Sequence, residues 1–509
     1  MTKYDFDTTY EKLKPIIDWA IENNISEYII PRSVRQLIEV TEINMASSQI
    51  NVLPDSFGDL VNLTTLDLSH NNLTTFPDSF GSLVNLTTLN LNFNNLTNLP
   101  DSFGSLINLT TLGFANNTLI HLPSCISNLM KLEILSASDC GLLELPSWIS
   151  VLQQLKTLSA HENNLSSLPD SIGDLSALDN LLLSDNRLIK LPQSMKKLTQ
   201  LSMLSLGNNC FSQFPEIITD ICQLEELEIS NSNLSYIPNN ISKLTQLTFI
   251  NVSDNNFTQF PEALYDVPSL VTIHLSNNHI SNITSDISRL TQLHTLHLDN
   301  NQLTEIPRCT QVTMLNLNNN QIDRLPNSFR DFSKLCALSL NNNQLTEFPH
   351  DIEVDILGLC DNKISILPDS IGNISTLMVL ALENNQITVL PSNIGNLHQL
   401  GALSLDNNQL TALPDSIGNL KKLEQLTLDN NQLSEFPDSI GELTNLSVLN
   451  FKHNNIEALP ESFQKLTQLP NLIIILDDYK PSMLKSIRNF IFRFFIETFN
   501  KPTHDNGTK

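Results

Sequence analysis

Large apolar residues recur along this chain in a fixed rhythm. In residues 63–85, LTTLDLSHNNLTTFPDSFGSLVN, they stand at Leu63, Leu66, Leu68, Leu73, Phe76, Phe80 and Leu83. Leu66 and Leu68 alternate with Thr65, Asp67 and Ser69. That period of two predicts a short strand with leucines inward and polar side chains outward. The rest of the stretch has no sustained period of 3.6 and contains a proline and a glycine, which predicts an extended or 3₁₀ return path. Residues 86–108 repeat 17 of the same 23 letters. Each unit is one strand plus one return and cannot bury its own leucines, whereas a stack of units can.

Proline carries the period through the chain. An apolar residue followed by proline occurs at Pro54 and every 23 residues to Pro261, then, after Thr284 in the next slot, from Pro307 to Pro460. Eighteen of the 24 prolines stand in this column, more than composition alone would place there. The steps Pro307 to Pro326 and Pro349 to Pro368 are 19 residues long. Four residues of return path are missing in each, which predicts lower local curvature. After each strand comes an asparagine, from Asn71 to Asn454, in sixteen of nineteen slots; Ser48, Cys140 and Ser232 take the others. Where the backbone bends out of the strand its buried N–H and C=O groups lose their ladder partners. An inward amide, which both donates and accepts, satisfies them.

The pattern LxxLxLxxNxLxxLPxxIxxLxx resembles the leucine-rich repeats. Its LP pair and 23-residue length are most similar to intracellular Ras-group (SHOC-2-like) scaffolds and to Legionella-type leucine-rich-repeat effectors. The resemblance implies an α/β solenoid: a curved leucine-rich-repeat horseshoe with a parallel concave sheet, an extended or 3₁₀ convex side, and partners bound on the concave face. Residues 40–468 supply about 19 such repeats. Residues 1–39 hold none. They place Tyr10, Leu13, Ile16, Ile17, Ala20 and Ile21 at helical spacing and open SVRQLIEV on Ser33, so they predict a helical N-terminal cap. Residues 469–509 predict a capping strand at LIIIL and a basic apolar helix or tail. Residues 483–499 of that tail are the segment suited to membrane or partner contact.

Charge narrows the partners. The net charge of −26 disfavours nucleic acid and anionic membrane and suits a protein with a basic surface. Seven scattered cysteines without a CxxC pair point to a reduced compartment. The start has no apolar leader core and no stretch of ~20 apolar residues spans a bilayer, so a cytoplasmic location is expected; delivery into a host cell is the alternative. No phosphate-binding loop or HExxH pattern occurs, and eight of the 14 glycines fill one return-path slot. The expectation is therefore no enzyme, no cofactor and no metal.

The second, third, fifth, seventh and eighth residues of each repeat point outward. They hold 18 acids against Lys156 and Lys452. Acids thicken at Glu225, Glu226 and Glu228. His274 and His297 take the same slot on consecutive repeats, with His294 at a strand entry and Phe249 nearby. These seven residues are the candidate partner-binding set on the concave face. The expected function is a non-enzymatic protein–protein interaction scaffold. The alternative is a bacterial effector that captures a host protein or membrane through the array and the C-terminal helix.

Overall fold

The computed structural model describes residues 3–476. It divides into two compact units, Met1–Ile280 with Arg289–Leu293, and Ser281–Ser288 with His294–Lys509. Among the described residues the first unit holds eleven three-residue strands, from Glu42–Asn44 to Thr272–His274. The second holds nine, from Thr295–His297 to Ile473–Ile475. Within each unit the strands run parallel and add in chain order, the solenoid that the period-two pattern predicts.

The repeat length sets the register. Thr65 pairs with Thr88, Leu66 with Leu89 and Asp67 with Asn90, each 23 residues on. In the short repeats the offset becomes 19, as in Thr295 with Met314 and Ala337 with Ile356. The strands stay in phase because the lost residues come from the return path alone. Central strand leucines such as Leu66 and Leu89 are fully buried, while their neighbours Thr65 and Asp67 face outward.

The return path follows from proline and glycine. Pro77, at φ −69° and ψ 150°, feeds the 3₁₀ turn Asp78–Ser82 and spends no backbone N–H in doing so. The Phe80 N–H closes the turn on the Pro77 carbonyl at 3.0 Å, and its ring is buried. Phe57, Phe80 and Phe103 stack from turn to turn. At Gly81 a Cβ would lie 2.2 Å from the Ser102 carbonyl oxygen, so these turns pack backbone to side-chain site with no room for alanine. Among the described residues, no 3₁₀ turn lies between strands Thr295–His297 and Met314–Asn316, or between Ala337–Ser339 and Ile356–Gly358. Buried Cys309 and Ile352 stand in these shortened paths. A notch of about 600 Å³ adjoins the first, lined by Pro307, Arg308, Arg324 and Phe332 among others, and one of about 330 Å³ adjoins the second.

Helix α1 (Lys3–Glu22) buries Leu13, Ile16, Ile17 and Ala20, and Trp19 meets Phe57 edge-on at 6.2 Å. Tyr10 and Ile21, expected in the same stripe, are exposed, because a surface one repeat thick covers only a narrow face. Ser33 precedes helix α2 (Val34–Leu37), but its hydroxyl makes no capping bond; its carbonyl accepts from Gln36 and Leu37 instead. At the other end, helix α3 (Phe463–Leu466) takes the place of a 3₁₀ turn and strand Ile473–Ile475 pairs with Val448–Asn450. Residues 483–499 lie outside the described residues. No helix among the described residues is long and apolar enough to cross a membrane.

Candidate interaction site

Three side-chain columns build the outward strand face and the turn beside it. The asparagine column is a hydrogen-bond ladder. Asn186 donates to the carbonyls of Ala160, Leu183 and Ser184 at 2.9, 3.1 and 3.2 Å and accepts from the Leu165 N–H at 2.9 Å. Where the column lacks asparagine, the Cys140 thiol donates to the Phe114 carbonyl and the Ser232 hydroxyl to that of Ser230.

The residue before each of these is the second column, and its sequence signal lay hidden. From Ser47 and His70 to His453, all nineteen have positive φ, between 44° and 57°. Apart from glycine, asparagine and aspartate tolerate this left-handed turn best, because their short side chains bond locally. Fourteen of the nineteen are asparagine or aspartate. Asp139, Asp185, Asp254 and Asp361 therefore have a conformational reason to be there, besides any role in charge.

A third column bonds across repeats. Asn92, Asn318 and Asn341 each accept the backbone N–H of the equivalent residue in the next repeat, at 2.7, 2.7 and 2.8 Å. Asp406 does the same for Asp429 at 2.6 Å. Burial, with smaller repulsion from Asp429 and Glu383, pushes the Asp406 carboxyl above its ordinary range despite that bond.

The expected binding residues fall into two groups. In the first unit, Glu226 stands beside Phe249, and Glu228 beside Asn251, which stands beside His274. The rings of Phe249 and His274 meet edge to face, with centroids 5.2 Å apart. Glu225 and Glu226 are exposed. Glu228 is half-buried and its carboxylate is held by the fold: it accepts from Ser184 Oγ at 2.9 Å, Ser205 Oγ at 2.7 Å and the Gly207 N–H at 2.9 Å. Ser230 adds its hydroxyl and its N–H. Gly207 leaves room for this, since a Cβ there would lie 2.2 Å from Glu228 Oε1. Burial acts to raise the carboxyl; the Ser230 and Ser205 hydroxyls and the two N–H groups outweigh it and hold the carboxyl below its ordinary range.

In the second unit, His297 Nδ1 lies 4.0 Å from Asp299 Oδ1, and Asn316 Nδ2 donates to the same carboxylate oxygen at 2.9 Å. The His294 carbonyl accepts from the Thr313 and Met314 N–H groups, which fixes it at the strand entry. His274 thus belongs to the first unit, and His294 and His297 to the second. Among the described residues no group of three histidines, cysteines or acids is arranged to hold a metal ion.

Known proteins match this geometry. A family model described as a leucine-rich repeat region matches residues 355–431, one described as leucine rich repeat matches 38–96 and 421–474, and one described as two copies of leucine rich repeats matches 268–308. A leucine-rich-repeat protein of Leptospira interrogans is 29% identical with TM-score 0.55, over 87% of this chain and 97% of its own. The plant peptide hormone receptor RGFR1, solved in complex with RGF2, is 30% identical with TM-score 0.61, over 86% of this chain and 78% of its own. The Arabidopsis receptor kinase HAESA, solved with the peptide hormone IDA and the co-receptor SERK1, is 26% identical with TM-score 0.55, over 86% and 82%. No curated protein matches the chain significantly.

Proposed function

Because the chain belongs to the leucine-rich-repeat family, a family of binding modules, we propose that it is a non-enzymatic scaffold that holds a basic protein partner on its concave strand face. The observation that carries this reading is the register of three consecutive strands. It sets the exposed acids Glu225 and Glu226 beside the Phe249–His274 ring pair, where an apolar contact and a steering charge meet. Ring contacts supply desolvated anchor area, and exposed carboxylates speed the encounter with a cationic surface. The peptide complexes of RGFR1 and HAESA support recognition of a polypeptide by this fold. Three exposed free thiols, Cys210, Cys222 and Cys336, suit a reducing cytoplasmic setting.

Quantitative affinity purification with the intact chain tests the reading. The double variants Phe249→Ala with His274→Ala, and Glu225→Gln with Glu226→Gln, are compared with wild type. A true partner is depleted in the ring variant. In the carboxamide variant it associates more slowly and with a flatter salt dependence. Partners recovered equally by all three proteins would sink the proposal.

A further inference from the structure

Phe93 breaks the rule of its column. It sits in the left-handed turn at φ 56°, a conformation that suits asparagine and strains a bulky ring. It is the only apolar side chain among the column's nineteen members and is 46% exposed. His70, one repeat earlier in the same column, is exposed too, and the two rings stack with centroids 4.2 Å apart and planes within 9°. The next member is the small Asn116, which leaves the far face of the Phe93 ring uncovered by any large neighbour of the column.

The same column continues as Asp139, Glu162 and Asp185, two, three and four repeats beyond Phe93, and Asp139 and Asp185 are exposed. Backbone bonds tie its members to the neighbouring repeats at 2.8–3.0 Å: Phe93 N to Ala115 O, Asn116 N to Ser138 O, Asp139 N to His161 O, Glu162 N to Ser184 O and Asp185 N to Gly207 O. The row is therefore rigid, with a rise of ~4.8 Å per repeat. The carboxylates stand roughly 10, 14 and 19 Å from the ring by that spacing. Glu162 is flanked by His161 at 3.3 Å, and Asp185 accepts from the Asn208 amide.

We propose that the Phe93–His70 stack seats an arginine side chain carried by an extended basic segment of a partner protein, and that this segment runs along the turn column over Asp139, Glu162 and Asp185. A planar guanidinium matches the open face of an aromatic ring, which attracts cations through its quadrupole. An extended chain advances ~3.4 Å per residue, so basic residues about three to six places beyond the arginine reach the three acids. The assignment rests on the reading of the chain as a protein-binding scaffold, but at a place seven repeats away from Phe249.

The experiment uses the full chain and two labelled octapeptides at physiological salt, read by fluorescence anisotropy. One carries a leading arginine followed by lysines at positions four, five and seven; in the other the arginine is lysine. Wild type should bind the arginine peptide about fivefold more tightly. Phe93→Asn, which installs the column's own residue and so leaves the fold intact or firmer, should erase that preference and leave the lysine peptide unaffected. Phe93→Leu, which keeps bulk without a ring face, should do the same. Asp139→Asn with Glu162→Gln and Asp185→Asn should weaken both peptides alike. Equal affinity of the two peptides for wild type overturns the assignment, as does a preference that survives in Phe93→Asn. The Phe249→Ala, His274→Ala variant should bind both peptides as wild type does, so failure at that site and failure here are read separately.

Discussion

A single amide at Asn186 satisfies four backbone groups, and no apolar residue of similar size can replace it. Asn186→Leu should lower stability by about 1–3 kcal/mol, read as a shift in the chemical-unfolding midpoint, through the groups left unpaired. Asp406 offers the opposite case. Its carboxyl is raised in the folded chain, so its charge costs stability once pH exceeds the ordinary carboxylate range, and protonation relieves that cost as pH falls. Asn92, Asn318 and Asn341 perform the same bond without charge. Asp406→Asn should therefore raise the unfolding midpoint at pH 7 and make no difference near pH 3; an equal shift at both values would refute the charge argument. The asparagine ladder was legible in the sequence, because a polar residue repeated at a strict period beside the buried leucines must bond to backbone that recurs at the same period. The left-handed column was not, because its aspartates look like surface charge and its constraint lies in φ. Glu228 was hidden in the same way: the Ser184, Ser205 and Gly207 groups that hold it lie 44, 23 and 21 residues away.

At the scale of an element, the return path is the variable part of each repeat. Its 3₁₀ turn disappears from both 19-residue repeats while the strand pairing stays intact. The loss of four residues was legible in the spacing of the prolines; the notches beside the shortened paths were not, since they depend on the height of the neighbouring turns. Cys309 occupies the first of these paths, fully buried, and burial pushes its thiol up to about 12. Cys125 and Cys140 are held at about 11, also by burial. Thiolate is the reactive form, so these three should resist maleimide at pH 7 in the native chain. Exposed Cys210, Cys222 and Cys336 should react first. Mass spectrometry of a labelling time course checks the order, and early modification of Cys309 would contradict the burial. In the full-length repeats, Gly81→Ala forces a methyl onto the Ser102 carbonyl and should cost about 1–3 kcal/mol, measured by chemical unfolding.

Across the whole molecule, the outward strand positions lie apart from the buried core. Leu66, Leu227, Ile250 and their equivalents are fully buried, whereas Phe249 and His274 are only partly buried and stand outside that core. Alanine at Phe249 and His274 together should leave the unfolding midpoint within error of wild type. It should weaken partner binding more than tenfold, about 1.4 kcal/mol, in a titration with the purified partner. If the variant folds and binds as before, the anchor lies elsewhere on the face. The candidate site was partly legible: outward slots follow from period two, and the register that joins Glu226 to Phe249 follows from the repeat length. Which outward groups the fold itself consumes did not follow, because that depends on contacts between repeats.

The constant offset between paired strands also governs how a gene for such a chain can change. Removing residues 86–108 as a block joins Asn85 to Leu109 and brings Thr65 opposite Thr111, with every leucine still inward. Unequal crossing-over between misaligned copies thus yields a foldable product whenever it keeps phase, and the 19-residue repeats mark where a smaller excision is tolerated. A chain lacking residues 86–108 should unfold as cooperatively as the parent, whereas one lacking residues 86–97 should lose cooperativity in the same urea titration, because half a repeat has no partner in the stack.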